Sequence, residues 1–237
     1  MKYFLIIFLV LPILVMSQTN LERGQRLFDE GKTDQAEFVF KSILKTEPSN
    51  LKAIEYLGDI AGQNKSWDDA VVYYGKLKIA KPTEADYFYK YGGALGMKAL
   101  EVNKFRALGM IDEVKGSFEK AIKIDPRHID ARWALIELYL KLPGIVGGSE
   151  SKAIRYSGEL MRLSPVDGNL SRGHIEEYFK RYGKAEQYYK KAIAIGNSKV
   201  SYQKLADLYR NKMNDPAKAS ETLLQYKNAV ASGKKNM

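Results

Sequence analysis

Three short stretches and two isolated histidines carry residue types that do chemistry elsewhere. Gly31-Lys32-Thr33 has the ending of a phosphate-binding loop. That loop needs another glycine where Arg26 stands, and a strand feeding into it. Gly147-Gly148-Ser149-Glu150-Ser151 approaches a nucleophile elbow, but its last glycine is serine and no strand pattern precedes it. Ser149 and Lys152 have a Ser-x-x-Lys spacing without the Ser-Asp-Asn and Lys-Thr-Gly segments that complete such a site. His128 and His174 have no histidine or cysteine at metal-ligand spacing. The chain has no cysteine, which excludes disulfides and thiolate catalysis. Ser149 is better explained as an N-cap whose hydroxyl accepts an orphan backbone N–H. No catalytic residue, metal site or cofactor is expected, so the chain reads as a non-enzyme.

The elements that position these residues repeat. Gly24, Gly58 and Gly92 lie 34 residues apart, and Ala36/Ala70, Phe40/Tyr74 and Pro48/Pro82 keep the same interval. A 34-residue period of this kind is a helix–turn–helix unit stacked on its neighbours. The glycine lets helices A and B of one unit approach closely, large residues fill the space between units, and proline ends helix B. Trp67 and Tyr182 fall at the A-to-B turn as structural plugs. Pro82 to Pro126 spans 44 residues, ten beyond the period, which predicts a third hairpin lengthened around Gly96–Arg106. Pro126 to Pro165 spans 39, five beyond it, and the surplus lies in Pro143-Gly-Ile-Val-Gly-Gly-Ser149 of the fourth hairpin. That loop is expected to fold compactly with Ile145-Val146 tucked inward. Backbone N–H groups of Gly147 and Gly148, with Ser149, form a candidate anion site ahead of a helix.

"YLGDIA" at 56–61 and "DDAVVYYGKLKIAKP" at 68–82 resemble the tetratricopeptide repeat. The resemblance implies an all-α helical-hairpin solenoid of about six repeats over 18–227, binding through a concave face made of A helices. "GSFEKAIKIDPRHIDARWALIELYLKLPGIVGGSESKA", 116–153, is similar to exported bacterial repeat proteins with a P-G-x-x-G-G insertion. Those in turn resemble the eukaryotic regulator of microtubule dynamics proteins. Gly173-His174 also resembles that group. This implies a fold and an interaction role and no assigned activity.

Residues 1–17 begin Met1-Lys2, run apolar from Tyr3 to Met16 and reach Ser17-Gln18. This is the pattern of a secretory signal peptide, placing the chain in the periplasm or outside the cell, with an uncleaved N-terminal anchor as the other reading. With 45% hydrophobic residues the rest can hold itself by core burial without disulfides. Residues 228–237 read as a polar tail. Of the net charge of +10, residues 18–126 contribute nothing (17 Lys/Arg, 17 Asp/Glu) and residues 127–237 contribute +9 (20 against 11). An anionic envelope surface is therefore a candidate partner of the second half, and no nucleic acid is expected.

A protein or peptide is the partner that the resemblance implies. Counting outward from each small residue places Glu55, Asp59, Tyr89, Trp133, Glu137, Arg172, Glu176, Phe179 and Lys180 on the concave face. Tyr89, Trp133 and Arg172 are the expected anchors. The face should be acidic near Glu55 and Asp59 and mixed or basic beyond Arg172. Three functions follow: an exported scaffold with a protein ligand, an envelope accessory factor using the basic half, and a hydrolase built on Ser149.

Overall fold

A computed structural model describes residues 20–233. The apolar leader, and the last four residues of the tail, lie outside the described residues. Those described form twelve α-helices and no strand. Helix α1 covers 20–29. It is followed by α2 (Thr33–Thr46), α3 (Leu51–Gln63), α4 (Trp67–Ala80), α5 (Ala85–Glu101) and α6 (Lys104–Ile124). Then come α7 (Ile129–Lys141), α8 (Glu150–Leu163), α9 (Pro165–Tyr178), α10 (Tyr182–Gly196), α11 (Lys199–Asn211) and α12 (Pro216–Ala231). Consecutive helices pair as six A/B hairpins. The chain divides after Ile124 into two compact units of three hairpins each.

Local chemistry starts most of these helices. Asn50, Ser149, Ser164, Ser198 and Asp215 cap α3, α8, α9, α11 and α12 by accepting a backbone N–H, and Pro165 and Pro216 occupy the first turn. His128 caps α7 through Nδ1, which accepts from the Ala131 N–H at 3.2 Å. At the other end, α12 continues to Ala231, so the helical domain ends four residues later than the composition predicts.

Each hairpin is closed by one small and one large residue. A Cβ on Gly24 would meet the Phe40 ring at 2.6 Å, on Gly58 the Tyr74 ring at 2.6 Å, and on Gly173 the Tyr189 ring at 2.4 Å. Gly92 faces Phe118 in the same way at 3.0 Å. In the fourth hairpin the register puts Ile136 in the glycine place and Ser157 in the aromatic place, both buried. In the sixth, Ala206 stands opposite Leu223 in the same register, with Ala206 fully buried. The volumes trade, as close packing requires. Between hairpins of the first unit, Tyr56 stacks on Phe40 at 4.7 Å and meets Phe28 edge-on at 5.3 Å.

The surplus residues fall where the period places them. The third hairpin has α5 of 17 and α6 of 21 residues, against 13 and 14 in α3 and α4, joined by Val102-Asn103. The fourth replaces a three-residue turn by residues 142–149, with a 3-10 turn at Gly144–Val146. Ile145 does not tuck inward; it is 97% exposed. The turn is held by its own backbone instead, with Val146 and Gly148 N–H donating to Pro143 O and Gly147 N–H to Gly144 O.

Candidate functional site

In the first unit the A helices present an open cleft of ≈ 530 Å³. Phe28 comes from α1, Asp59, Gly62 and Gln63 from α3, and Tyr89, Lys90, Gly93 and Ala94 from α5; Trp67 and Tyr74 of α4 close it. Two of the sequence-selected residues, Asp59 and Tyr89, therefore share one cleft. Tyr89 lies against Phe118 at 6.1 Å between ring centroids. Glu55, one turn before Asp59 on α3, joins the rim through Lys90.

Lys90 Nζ donates to Glu55 Oε1 at 2.9 Å and to Asp59 Oδ1 and Oδ2 at 2.8 and 3.1 Å. Tyr74 OH donates to Asp59 Oδ1 at 2.7 Å, and Lys52 Nζ to Glu55 Oε2 at 3.1 Å. Burial pushes the Glu55 carboxyl up, but hydrogen bonds from Lys90 and Lys52 outweigh it and hold the carboxyl below its ordinary value. Burial pulls Lys90 down, and Asp59 and Glu55 outweigh that to raise it. Burial first, then the bond to Asp59, drives Tyr74 far above the ordinary phenol range. The expected acidic patch is thus neutralised from within. A signal for Lys90 was in the repeat: it stands 34 residues after Tyr56. Where Tyr56 stacks on Phe40, Lys90 lies 5.7 Å over the Tyr74 ring.

Two glycines of the cleft wall lack the tight ring contact that requires glycine at 24, 58 and 173. A Cβ on Gly93 would meet nothing within 4 Å, and one on Gly62 would meet only Tyr74 and Trp67 at ordinary contact distance. Glycine inside a helix costs about 1 kcal/mol relative to alanine. At these two positions the cost is offset by no internal contact, and both leave bare backbone on the cleft wall.

In the second unit, α7 and α9 bring Trp133, Glu137 and His174 together. His174 Nε2 lies 2.6 Å from Glu137 Oε1, and its ring 6.3 Å from that of Trp133. The His174 hydrogen bond, against burial, holds the Glu137 carboxyl below its ordinary value. Trp133 Nε1 donates to Asp167 Oδ1 at 3.2 Å. Trp133 also packs on the second unit's core, so much of the expected anchor is structural.

Arg172 and Glu176 do not form an open face. Glu176 is buried, pairs with Arg172 at 3.2 Å and also with Arg181, which bridges on to Glu150. Relative to Gly173, Arg172 and Glu176 stand at −1 and +3, the places that the buried Leu57 and Ala61 hold relative to Gly58. The places of Glu55 and Asp59 fall to Leu170 and His174. Of the expected basic stretch beyond Arg172, Arg181 is taken up in this network. Phe179 and Lys180 sit in the A-to-B turn, Phe179 edge-on to Tyr178 at 5.2 Å and Lys180 at φ +60°. Lys180 lines a smaller cleft of ≈ 250 Å³ with His174, Glu177, Tyr178, Tyr182 and Lys212.

The loop residues have internal uses. The N–H groups of Gly147 and Gly148 are both donated within the turn, which leaves neither for an anion. Ser149 Oγ accepts from Lys152 N–H at 3.3 Å, the capping geometry, and lies 2.9 Å from Ser151 Oγ. No group of three His, Cys, Asp or Glu side chains able to hold a metal occurs among the described residues. Sequence reasoning also missed Arg132, a buried cation that donates to Glu159 Oε2 and to the His128 carbonyl, both at 2.9 Å.

Residues 166–195 match the tetratricopeptide repeat family. Over 105 residues the chain is 28% identical to the RNA polymerase-associated protein CTR9 of Caenorhabditis elegans; this covers 44% of the chain and spans only 8% of that relative's length. The thermophilic TPR protein TTC0263 of Thermus thermophilus superposes with a TM-score of 0.62 at 17% identity, covering 88% of this chain and 99% of that one. YrrB, described as a TPR protein with an unusual peptide-binding site, superposes with a TM-score of 0.53 at 16% identity, covering 77% and 87%. Together with the hairpin register, these likenesses show a tetratricopeptide-repeat fold.

Proposed function

We propose that this tetratricopeptide-repeat chain is an exported, non-enzymatic scaffold that holds a protein or peptide on its helix-A side. The fold is a protein-interaction fold. The observation that carries the finer reading is the first-unit cleft, where Gly62 and Gly93 keep backbone bare between Phe28, Trp67 and Tyr89. Aromatic walls and a glycine floor suit an extended segment whose own backbone must come close. Asp59 and Gln63 supply polar partners at the rim for its amides. YrrB, of the same fold, is described as having a peptide-binding site, which supports a peptide ligand here. Export is supported by the leader pattern of residues 1–17.

The test is capture of partners from the exported fraction, followed by a peptide array. Tyr89→Ala combined with Gly93→Gln removes one wall and fills the floor, and should abolish capture while leaving thermal unfolding in place. Retention of every partner by that variant would sink the reading.

A second reading, an envelope accessory factor contacting anionic polymer or lipid through the basic half, is favoured by the +9 of residues 127–237. Arg181 and Lys190 are held by Glu176 and Glu186 and would contribute little. Lys180, Lys184 and Lys191 would carry it. Salt-independent sedimentation with envelopes, unchanged by Glu at those three positions, would remove this reading.

A further inference from the structure

The lengthened third hairpin ends in an apolar tip that no other turn in its unit resembles. The first two hairpins turn through Glu30-Gly31-Lys32 and Asn64-Lys65-Ser66, all polar or glycine. The third turns through Val102-Asn103, with Asn103 Oδ1 accepting from the Arg106 N–H at 3.1 Å to start α6. Around it Phe105 is 87% exposed, Leu100 68%, Leu108 45% and Met97 42%. Met97/Leu100 and Phe105/Leu108 each keep an i,i+3 spacing, so each helix carries its pair along one side. The added turns raise this tip by about 6–10 Å at 1.5 Å per residue. A cluster of this kind at a protruding apex marks a contact site.

The charges at the tip are sorted by sign. Glu101 accepts from Trp67 Nε1 at 2.8 Å, and Glu113 from Tyr91 OH at 2.6 Å, both turned back on the hairpin's own unit. Asp112 is paired with Lys115 at 2.7 Å, and Lys98 with Asp68. Lys104 and Arg106, flanking Phe105 on either side, have no ion partner among the described residues. Asp68, Asp112 and Glu113 are thus ion-paired, Glu113 with Lys78, and Glu101 is turned back to Trp67, whereas the two cations beside the most exposed aromatic point to no acidic partner among the described residues.

We propose that this tip is a membrane-surface contact: Phe105, Leu100 and Leu108 enter the interface of an anionic bilayer while Lys104 and Arg106 meet its head groups. Exposed apolar residues bracketed by unpaired cations are the pattern of shallow interfacial insertion. No described helix is long and apolar enough to cross a membrane, so this contact is peripheral. It does not rest on the cleft reading, and it lies outside the basic second half.

The chain has no cysteine, so Phe105→Cys in the full chain gives a single site for an environment-sensitive fluorophore. Added vesicles of phosphatidylcholine with 30% phosphatidylglycerol should shift and brighten its emission. A label at Lys65→Cys, in a polar turn, should not respond. Leu100→Glu with Leu108→Glu should abolish the response, and Lys104→Gln with Arg106→Gln should weaken partitioning about 30-fold, the worth of two cations at an anionic surface. Glu at Lys180, Lys184 and Lys191 should leave the response in place. A label at 105 that ignores these vesicles overturns the proposal. So does a response that grows with protein concentration in the absence of lipid, since that would make a second copy the occupant.

Discussion

The Tyr74 ring fills the space that a side chain at Gly58 would need, with 2.6 Å between its Cε1 and an ideal Cβ on the glycine. The same pairing closes the hairpins of Gly24 with Phe40 and Gly173 with Tyr189. Where glycine is absent the aromatic is absent too, as in Ile136 with Ser157. Helical glycines in this chain therefore fall into two kinds, those forced by packing and those that leave open space.

The two kinds respond to alanine with opposite sign. Gly58→Ala should lower stability by about 1–3 kcal/mol through overpacking. Gly93→Ala should raise it by about 0.5–1 kcal/mol, because the new methyl meets nothing. Urea unfolding of the two variants checks this, and a shared sign would refute the distinction.

The fourth hairpin allows a volume exchange. Ser157→Tyr alone should destabilise by about 3 kcal/mol, having no glycine to face. Adding Ile136→Gly should recover part of that, with a coupling of about 0.5–3 kcal/mol in a double-mutant cycle. Additive effects would mean that the two residues do not share one space.

Arg132 is 6% exposed and serves both Glu159 and the His128 carbonyl. Arg132→Met should cost about 3 kcal/mol, chiefly by stranding a partly buried carboxylate and a helix-terminal carbonyl. Arg132→Lys should restore little, since one ammonium cannot reproduce the guanidinium's fork. Denaturant midpoints of both variants measure it.

The Glu55–Lys90–Asp59 group sets a pH dependence at both ends. Glu55 is depressed in the folded chain, so its contribution is present above the unfolded value of about 4.3 and lost as pH falls through the folded value. Lys90 is raised, so its contribution is present below about 10.4 and lost as pH rises through its folded value. The stability difference between wild type and Lys90→Met should be level between about pH 6 and 9 and shrink on either side. A difference that widens in acid would contradict the geometry.

Gly148 is held by contact, since a Cβ there would lie 1.8 Å from the Leu142 carbonyl oxygen, and Gly147 by a φ of +101°. Gly147→Ala and Gly148→Ala should each cost about 1–3 kcal/mol, from backbone strain in the first and overpacking in the second. Ile145→Ser, at a side chain that touches little, should change stability by less than about 0.5 kcal/mol. Thermal unfolding of the three variants separates a structural loop from an inert one.

The period of 34, with glycine, alanine, aromatic and proline at set offsets, determined the all-helical hairpin fold and the positions of both insertions. Those features are local or recur from unit to unit, so sequence alone carries them. The exposed helix-A surface was less legible. Asp59 and Tyr89, expected on the concave face, both line the first-unit cleft, but Lys90, which pairs with Asp59 and Glu55, acts across three helices. Arg172 and Glu176 were placed on a face, but in the glycine register of α9 they take the inward places of Leu57 and Ala61. Side-chain pairing depends on three-dimensional distance, and burial decides whether a charge faces water or another charge. The exposed tip at Phe105 has the same origin: the period predicted a longer hairpin there, and only the tertiary structure shows Leu100 and Phe105 left uncovered.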